Sequence, residues 1–345
     1  MKHLTITVPC FNSEQYLKRC LDSLVAGGNE VEIIVVNDGS TDHTGEIAEQ
    51  YCRQFPDIVT VVHKENGGHG SGVNTGLALA TGKYFKVVDS DDWLEEKAYK
   101  ELLGKIRRWL KKDVSGRENC PDMLICDYTY NHLNDGIRKT INYRNIFPID
   151  KVCSWDKIGI FRPHQYLVMH ALIYRTDVLR NSKVVLPENT FYVDNIFAYC
   201  PLPYVKTLYY MDIDLYQYFL GREDQSVNEN MLIARVEQHM KVTGIVAESV
   251  NLDEVKENYP KLANYMCRNI SIMLAISSIH LLLRGDEQAK VWYGQLWSDI
   301  KRKNPKLYYR LRYTTLSGFT NLPGRLGKKV TITGYRIAKR IYKCQ

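Results

Sequence analysis

Short apolar runs alternate with amphipathic stretches throughout the first 110 residues, and this alternation limits the possible folds more than any other feature of the chain. The apolar runs predict four strands, which with their following turns read LTITVPC, VEIIVVNDGS, IVTVVHK and KYFKVVDSDDW. Runs with so few polar residues are typical of parallel strands buried on both faces. We therefore predict an α/β fold with a mostly parallel, doubly wound sheet and flanking helices, in which ligands bind outside the carboxyl ends of the strands.

Cap and turn residues delimit the predicted helices. Ser13 is expected to cap the first helix, and Asp42 the second, which runs to about Phe55. The glycine-rich turn NGGHGSG opens the third helix, and a fourth follows the last strand as far as about Lys112.

Beyond Pro121 the alternation is looser. DMLICDYTY and the turn at Asn134–Gly136 predict a strand and a hairpin, whereas QYLVMHALIYR fits either a strand or a buried helix. The tyrosine-rich stretch 204–220 predicts a further strand, and helical patterning begins near residue 228. NISIMLAISSIHLLL is too short to span a bilayer and is interrupted by Ser and His, so it predicts a buried helix.

We accordingly divide the chain into a first domain over residues 1–226, a smaller helical region over 227–300 and a basic tail over 301–345. The net charge of +7 comes from this tail, which holds 13 of the 46 Lys and Arg residues and no Asp or Glu. The first 300 residues carry 33 basic and 39 acidic residues, which argues against nucleic acid as a partner.

The tail has the pattern of an interfacial helix on an anionic membrane. On a helical wheel one sector contains the basic residues Lys329, Arg336, Arg340 and Lys343. The opposite side contains Val330, Gly334, Ile337, Ala338 and Ile341. The alternative is that the tail packs on the first domain, which carries more acidic than basic residues, and that its basic face stays in contact with solvent.

The nine cysteines form no CxxC pair, and the N-terminal residues do not resemble a secretory signal. Reduced thiols and a cytoplasmic location are therefore expected.

Three carboxylates, Asp89, Asp91 and Asp92, follow the fourth predicted strand within four positions. Like charges at such separations raise one another's cost of ionisation by about a kcal/mol or more. A bound cation would relieve this repulsion, and closely spaced carboxylates suit Mg²⁺ or Mn²⁺. The cluster therefore predicts a divalent cation shared with the phosphates of a ligand.

Polar or aromatic residues also follow the other three strands. Pro9, Phe11 and Asn12 follow the first, NDGSTD the second and KENGG the third. Each motif alone is explained by a turn, a helix cap or a solvated loop. Together they predict a nucleotide-diphosphate site in which Asp38 accepts a hydrogen bond from base or ribose and Phe11 offers a stacking face.

ITVPCFNSEQYLKRCLDSL, IIVVNDGSTDHT and NGGHGSGVNTGLALATGKYFKVVDSDDW resemble, in order and spacing, the family 2 glycosyltransferases of GT-A fold. The resemblance is specific over residues 3–110, thins over 120–225 and is absent from the last third. It implies that Asp89 faces the ribose or the metal and that Asp91 binds the metal. It places Pro9, Phe11, Asp38, Asn66 and Asn74 in the nucleotide-sugar site.

The resemblance also implies residues in the second half of the first domain. Asp194 in NTFYVDNIFAY matches the position of the family's catalytic base, although a helix cap is the alternative. The loop YQYFLGREDQSV resembles the one that closes over the diphosphate. Its candidate donor-binding residues are Arg222, Gln225 and Ser226, with an exposed polar turn as the alternative. His170 is interpreted as a core histidine and left outside the site.

One position departs from the family pattern. Val73 stands where members commonly have an Arg that supports the phosphates, so a bidentate partner is lost there. Lys64, His69 and Arg222 are candidates to replace it.

The sequence therefore predicts an inverting, metal-dependent glycosyltransferase that uses a nucleotide-diphosphate sugar, most simply a UDP-sugar. The acceptor would be a hydroxyl of a glycan, a cell-wall polymer or a lipid-linked molecule, reached at the inner face of the cell membrane. The alternatives are a nucleotidyltransferase of similar fold and a catalytically inactive carbohydrate-binding or scaffold protein. VPCFNSEQ lacks the basic, glycine-rich loop expected of the former, and the intact acidic cluster argues against the latter.

Overall fold

A computed structural model of the protein describes residues 2–113, 120–132, 136–163, 165–221 and 229–342. The chain divides into two compact units, Met1–Gly221 and Arg222–Gln345. Residues 301–342, which the sequence sets apart as a tail, belong to the second unit.

The first unit is built on one mixed sheet. Its described strands are β1 Leu4–Cys10, β2 Val31–Asp38, β3 Val59–Lys64, β4 Tyr84–Val87, β5 Trp93–Leu94, β6 Met123–His132, β7 Arg138–Ile141, β8 Val152–Cys153, β9 Leu172–Arg175 and β10 Leu208–Leu220. Their order is β3-β2-β1-β4-β9-β6-β10-β5, with β7 paired to β6 and β8 to β10. The pairs β1–β2, β2–β3, β1–β4 and β6–β10 are parallel, and the pairs with β5, β7, β8 and β9 are antiparallel. The predicted mostly parallel sheet is confirmed.

Six α-helices accompany the sheet in the described part of this unit. They are α1 Leu17–Val25, α2 Thr44–Gln54, α3 His69–Leu79, α4 Glu96–Asp113, α5 Thr176–Ser182 and α6 Asp194–Tyr199. The cap position of α2 is His43 and not Asp42 as predicted, although Asp42 Oδ1 accepts a hydrogen bond from the Thr44 N–H at the first residue of the helix. Helix α1 begins later than predicted, because the Ser13 hydroxyl bonds the Phe11 carbonyl and lies 2.8 Å from Ser90 Oγ instead of capping a helix.

Glycines bring α3 into direct contact with β1. A Cβ at Gly76 would overlap the Thr7 side chain, and one at Gly72 would lie 2.8 Å from Pro9 Cβ. This close packing fixes the start of α3 above the carboxyl ends of β1 and β4. Of the stretch that fitted either a strand or a helix, only the last four residues form the short central strand β9, and a single 3-10 turn at Met169–Ala171 precedes it.

The second unit is helical, as predicted. Its described α-helices are α7 Glu229–Ala234, α8 Val236–Glu248, α9 Leu252–Asn258, α10 Pro260–Arg284, α11 Glu287–Lys303, α12 Pro305–Thr314 and α13 Gly324–Tyr342. Among the described helices, α10 alone has the length and composition to cross a membrane, but 67% of its apolar window is buried inside the structure. The prediction of a buried core helix is therefore confirmed, but the expectation that it is too short to span a bilayer is wrong, because the helix begins at Pro260, before the apolar stretch.

Candidate active site

Asp38 organises the turn that connects β3 to α3. Its Oδ1 accepts hydrogen bonds from the Gly67 N–H at 2.9 Å and from Lys64 Nζ at 2.9 Å, and its Oδ2 accepts one from the Gly68 N–H at 2.7 Å. The side chain is buried. Gly68 has a φ of 82°, which favours glycine, and is followed directly by α3. The predicted nucleotide-binding aspartate thus also shapes the glycine-rich turn.

The loop after β1 is joined to the loop after β2. Asn12, in the left-handed region at φ 47°, accepts a hydrogen bond from the Thr41 N–H at 2.9 Å. Phe11 is 50% exposed at the end of β1, so its ring is accessible for stacking. Pro9 is buried, and Asn66 is exposed in the β3–α3 turn. Four of the residues predicted to bind the nucleotide sugar therefore lie at or just after the carboxyl ends of the neighbouring strands β1, β2 and β3: Pro9, Phe11, Asp38 and Asn66.

Two histidines hold the Asp89 carboxylate. Nε2 of His69, at the start of α3, lies 2.8 Å from Asp89 Oδ1, and Nε2 of His170 lies 3.3 Å from Oδ2. The His170 ring stacks on Tyr218, with centroids 4.6 Å apart. Burial alone would raise the pKa of Asp89, but both histidines outweigh it and hold that pKa well below its ordinary value. Asp89 is therefore a charged, oriented acceptor.

Asp92 has a different role from its neighbours. It is fully buried, and its Oδ1 and Oδ2 accept hydrogen bonds from the Phe219 N–H at 2.7 Å and the Tyr216 hydroxyl at 2.6 Å. Burial first, and then the charges of Asp91 and Asp89, raise its pKa well above the ordinary value. Asp92 therefore anchors the acidic turn to β10.

Asp91 is partly exposed, and the carbonyl oxygen of its backbone accepts a hydrogen bond from Arg19 at 2.7 Å. Potential ligand atoms of Asp89, Asp92 and His170 all lie within 4.8 Å of one another, a spacing that a metal ion can bridge. Both oxygens of Asp92 and both oxygens of Asp89 already have hydrogen-bond partners. Asp92 is fully buried whereas the Asp89 side chain is 23% exposed, so Asp89 is the more accessible carboxylate for a metal ion.

A buried lysine lies beneath this cluster. Lys86 of β4 is fully buried, and its Nζ donates a hydrogen bond to the His170 carbonyl at 2.7 Å. Burial lowers the pKa of Lys86 to about 8, and the charges of Asp89 and Asp92 are among those that oppose this effect. The protein thus supplies part of the positive charge that the acidic turn requires.

The segment before Asp194 is fixed to α3. Asn74 bonds both the N–H and the carbonyl of Leu186, and the Asn189 N–H donates to the Gly67 carbonyl at 2.7 Å. Tyr192 has a φ of 66°, a strained value for an aromatic residue that is common near functional sites. The segment that leads to Asp194 is therefore held against Gly67 and α3 by backbone hydrogen bonds.

Asp194 is the first residue of α6. Burial raises its pKa, and the nearby His170 and His69 oppose this increase. Val193, which precedes Asp194, packs against Gly70, which follows His69: a Cβ at Gly70 would lie 3.5 Å from Val193 Cγ2. The start of α6 therefore lies beside the start of α3, where His69 contacts Asp89.

Sequence reasoning missed part of this arrangement. The apolar neighbours of His170 in the sequence predict a core histidine outside the site, and this prediction is wrong because its imidazole contacts Asp89. The anchoring of Asp92 by Tyr216 had no signal in the sequence, because it joins residues 124 positions apart. Arg222, Gln225 and Ser226 lie outside the described residues. Val73 is buried in α3.

Comparison with known proteins agrees with this fold. Residues 5–162 match the model of Glycosyl transferase family 2. The putative glycosyltransferase EpsH of Bacillus subtilis is 25% identical over 289 residues, which cover 81% of this chain and 76% of that protein. The poly(ribitol-phosphate) beta-glucosyltransferase of Bacillus spizizenii is 37% identical over 307 residues, which cover 86% of this chain but 44% of that protein.

Other matches are shorter or more distant. Glycosyltransferase GlyA of Streptococcus pneumoniae is 42% identical over 107 residues, which cover 30% of this chain and 15% of that protein. Among solved structures, residues 1–349 of S. aureus TarS in complex with UDP-GlcNAc align with a TM-score of 0.66 at 18% identity, covering 98% of this chain and 92% of that one. This last likeness concerns the fold.

The match to the family model and the similarity to named glycosyltransferases, together with this fold, identify a glycosyltransferase of GT-A fold. The chain belongs to the family 2 glycosyltransferases.

Proposed function

We propose that this glycosyltransferase is inverting and metal-dependent, and that it transfers a sugar from a UDP-sugar to a hydroxyl of a cell-wall polymer or a related glycan or lipid-linked acceptor. The observation that carries the proposal is geometric: His69 and His170 contact the Asp89 carboxylate at 2.8 and 3.3 Å, and Gly70, next to His69, packs against Val193, next to Asp194. It supports one site in which Asp89 lies at the donor and Asp194 at the acceptor.

Asp194 is proposed as the general base. The acceptor hydroxyl would attack the anomeric carbon as the bond to the diphosphate breaks, and Asp194 would take the hydroxyl proton. A raised pKa suits this task, because a carboxylate with a higher pKa is a stronger base.

Asp89 and Asp91 are proposed as the residues that hold the divalent ion, with His170 beside Asp89. Carboxylate oxygens with a nearby imidazole fit Mn²⁺ better than Mg²⁺, which prefers oxygen ligands alone. A bound ion would neutralise charge that develops on the leaving diphosphate. His69 and Lys64 are proposed to contribute where Val73 replaces the family arginine, together with Arg222.

The donor and acceptor classes rest on relatives. TarS residues 1–349 were solved with UDP-GlcNAc, which supports a UDP-sugar donor. The name of the Bacillus spizizenii relative supports a poly(ribitol-phosphate) or similar polymer as acceptor. We place the reaction in the cytoplasm at the inner face of the cell membrane, because the 13 basic residues of 301–345 are unaccompanied by acids.

The test is a transfer assay with purified protein, UDP-glucose or UDP-GlcNAc, and poly(ribitol phosphate), with Mn²⁺ or with EDTA. We expect transfer with Mn²⁺, loss of transfer with EDTA, and a product whose anomeric configuration by NMR is opposite to that of the donor. Asp91→Asn should abolish transfer and remove the Mn²⁺-dependent part of UDP binding. Unchanged transfer without metal at saturating donor, or a retained configuration, would overturn the mechanism.

A further inference from the structure

Helix α13 turns a polar face toward the rest of its unit. Thr331 is buried and its hydroxyl donates to the Phe319 carbonyl at 2.9 Å. One and two turns further on, the Tyr335 hydroxyl and Lys339 Nζ donate to Glu229 at 2.7 and 2.6 Å. The side of the helix that packs on the unit is therefore held by hydrogen bonds and an ion pair.

The apolar residues of α13 lie on its outer side. Leu326, Val330 and Ile337 are 80%, 59% and 53% exposed. At 3.6 residues per turn they fall within about 40° of the circumference and form one stripe. A row of exposed basic residues lies about 100° to one side of this stripe. The row consists of Arg325, Lys329 and Arg336. We call the stripe and the row together the outer face of α13.

A helix that is stabilised by packing on its own domain buries its apolar stripe and exposes its polar side. Helix α13 has the opposite arrangement, with its apolar stripe exposed. An apolar stripe beside a basic row is instead the pattern of a helix that lies in a membrane interface. Long Lys and Arg side chains at that depth reach the lipid headgroups with their charged ends.

The charge of the outer face favours an anionic lipid surface over a second copy of the chain as its binding partner. A second copy would bring the same basic residues and no acid from 301–345, so two outer faces would repel each other. An anionic lipid surface attracts the basic row and covers the apolar stripe at once.

We propose that the outer face of α13 binds the surface of an anionic lipid bilayer, with Leu326, Val330 and Ile337 inserted at the level of the headgroups. This identifies the surface that would act at the membrane location proposed above. It is independent of sugar transfer, because binding is measured without donor or acceptor.

The experiment is co-sedimentation of the full chain with two kinds of vesicle. One is phosphatidylcholine alone, and in the other about a third of the lipid is phosphatidylglycerol, which gives a strongly anionic surface. Wild-type protein should bind the anionic vesicles and be released by salt, since surface charges are screened beyond about 10 Å at 0.1 M. Leu326→Gln, Val330→Gln and Ile337→Gln together should weaken binding at least about ten-fold, because several buried methylenes are lost.

Arg325→Gln, Lys329→Gln and Arg336→Gln together should weaken binding about a hundred-fold, since each basic residue near such a surface contributes about five-fold. A matched apolar control replaces exposed aliphatic residues elsewhere by Gln. It consists of Ile137, Ile160 and Val291. A matched charge control replaces Arg53, Lys97 and Lys139, which are also exposed. Both controls should bind as wild type does.

Each variant is first checked by thermal unfolding and by UDP binding, so that misfolding is distinguished from loss of the membrane contact. Equal binding by the stripe variant and wild type would overturn the proposal, as would equal binding to vesicles without phosphatidylglycerol. If wild type shows no vesicle binding but self-associates in the ultracentrifuge, and the stripe variant does not, the face binds a second copy instead. Failure of the transfer assay leaves these binding results unaffected, so the two proposals fail separately.

Discussion

Asn74 holds Leu186 through both polar groups of its side chain. Its Nδ2 donates to the Leu186 carbonyl at 2.8 Å and its Oδ1 accepts from the Leu186 N–H at 3.0 Å, across 112 positions of the sequence. The residue that the family pattern assigns to the donor site thus fixes the segment that leads to the proposed base.

We predict that Asn74→Ala slows transfer by about ten- to a hundred-fold, the usual effect of removing a group that orients a functional residue. UDP affinity should change by less than about two-fold, because the bonds lost are to the segment before Asp194. Steady-state kinetics and calorimetric UDP titration measure the two effects. Thr75→Ala, which removes only a bond to Ser71 within α3, is the control. A parallel loss of UDP affinity would show that Asn74 contacts the donor.

Asp194→Asn should fold normally and bind UDP as wild type does, but transfer sugar at least about a hundred-fold more slowly, as expected for loss of a general base. Because burial raises the pKa of Asp194, wild-type turnover should fall as pH decreases through a value above that of an ordinary aspartate. Asp177→Asn, in the first turn of α5, is the control. If turnover survives while UDP affinity is lost, the base is another residue.

His69→Ala should weaken Mn²⁺-dependent UDP binding by about ten- to a hundred-fold, because the Asp89 carboxylate loses a hydrogen bond that orients it. His69→Gln should restore part of this affinity, since the Gln amide can also donate to Asp89. The measurement is a UDP titration at several Mn²⁺ concentrations. Equal affinities for the Ala and Gln variants would mean that the hydrogen bond to Asp89 is not what matters.

Asp92→Asn should become more stable relative to wild type as pH increases. The pKa of Asp92 is raised in the folded protein, so the folded state retains a proton that the unfolded chain loses above about pH 3.9. Wild-type stability therefore falls as pH rises from there toward the raised pKa, and the uncharged Asn lacks this loss. Urea unfolding at pH 4, 6 and 8 measures the difference, with Asp57→Asn as an exposed control. A difference that does not vary with pH would contradict the raised pKa.

Two glycines in helices should respond oppositely to alanine. Gly76→Ala in α3 should destabilise the protein by about 1–3 kcal/mol, because the new Cβ overlaps Thr7 in a packed core. Gly104→Ala in α4 meets open space and should stabilise it by about 0.5–1 kcal/mol through helix propensity. Chemical denaturation measures both changes. Similar effects of the two substitutions would show that α3 does not pack on β1 as described.

The sequence predicts the first half of the sheet well because β1 to β4 are nearly uninterrupted apolar runs with recognisable turns after them. Strand β9 was ambiguous because a four-residue buried strand has no periodicity of its own. Local sequence predicts the acidic turn, and only the family resemblance assigns Asp194 to the site. The sequence does not predict the contact between His170 and Asp89, because this contact depends on the pairing of distant strands and on tyrosine rings that pack around the imidazole.

The late position of β10 in the chain has a consequence for biosynthesis. Asp92 meets Tyr216 across 124 positions, and β10 pairs along most of its length with β6. Contacts between residues so far apart form slowly, and a growing chain lacks the complete β10 until the ribosome has passed Leu220. Until then the edge of β6 is unpaired and Asp92 has no partner on β10. Chains terminated before Leu208 should consequently be substrates for proteases and prone to aggregation, even though they contain the whole segment that matches the family model.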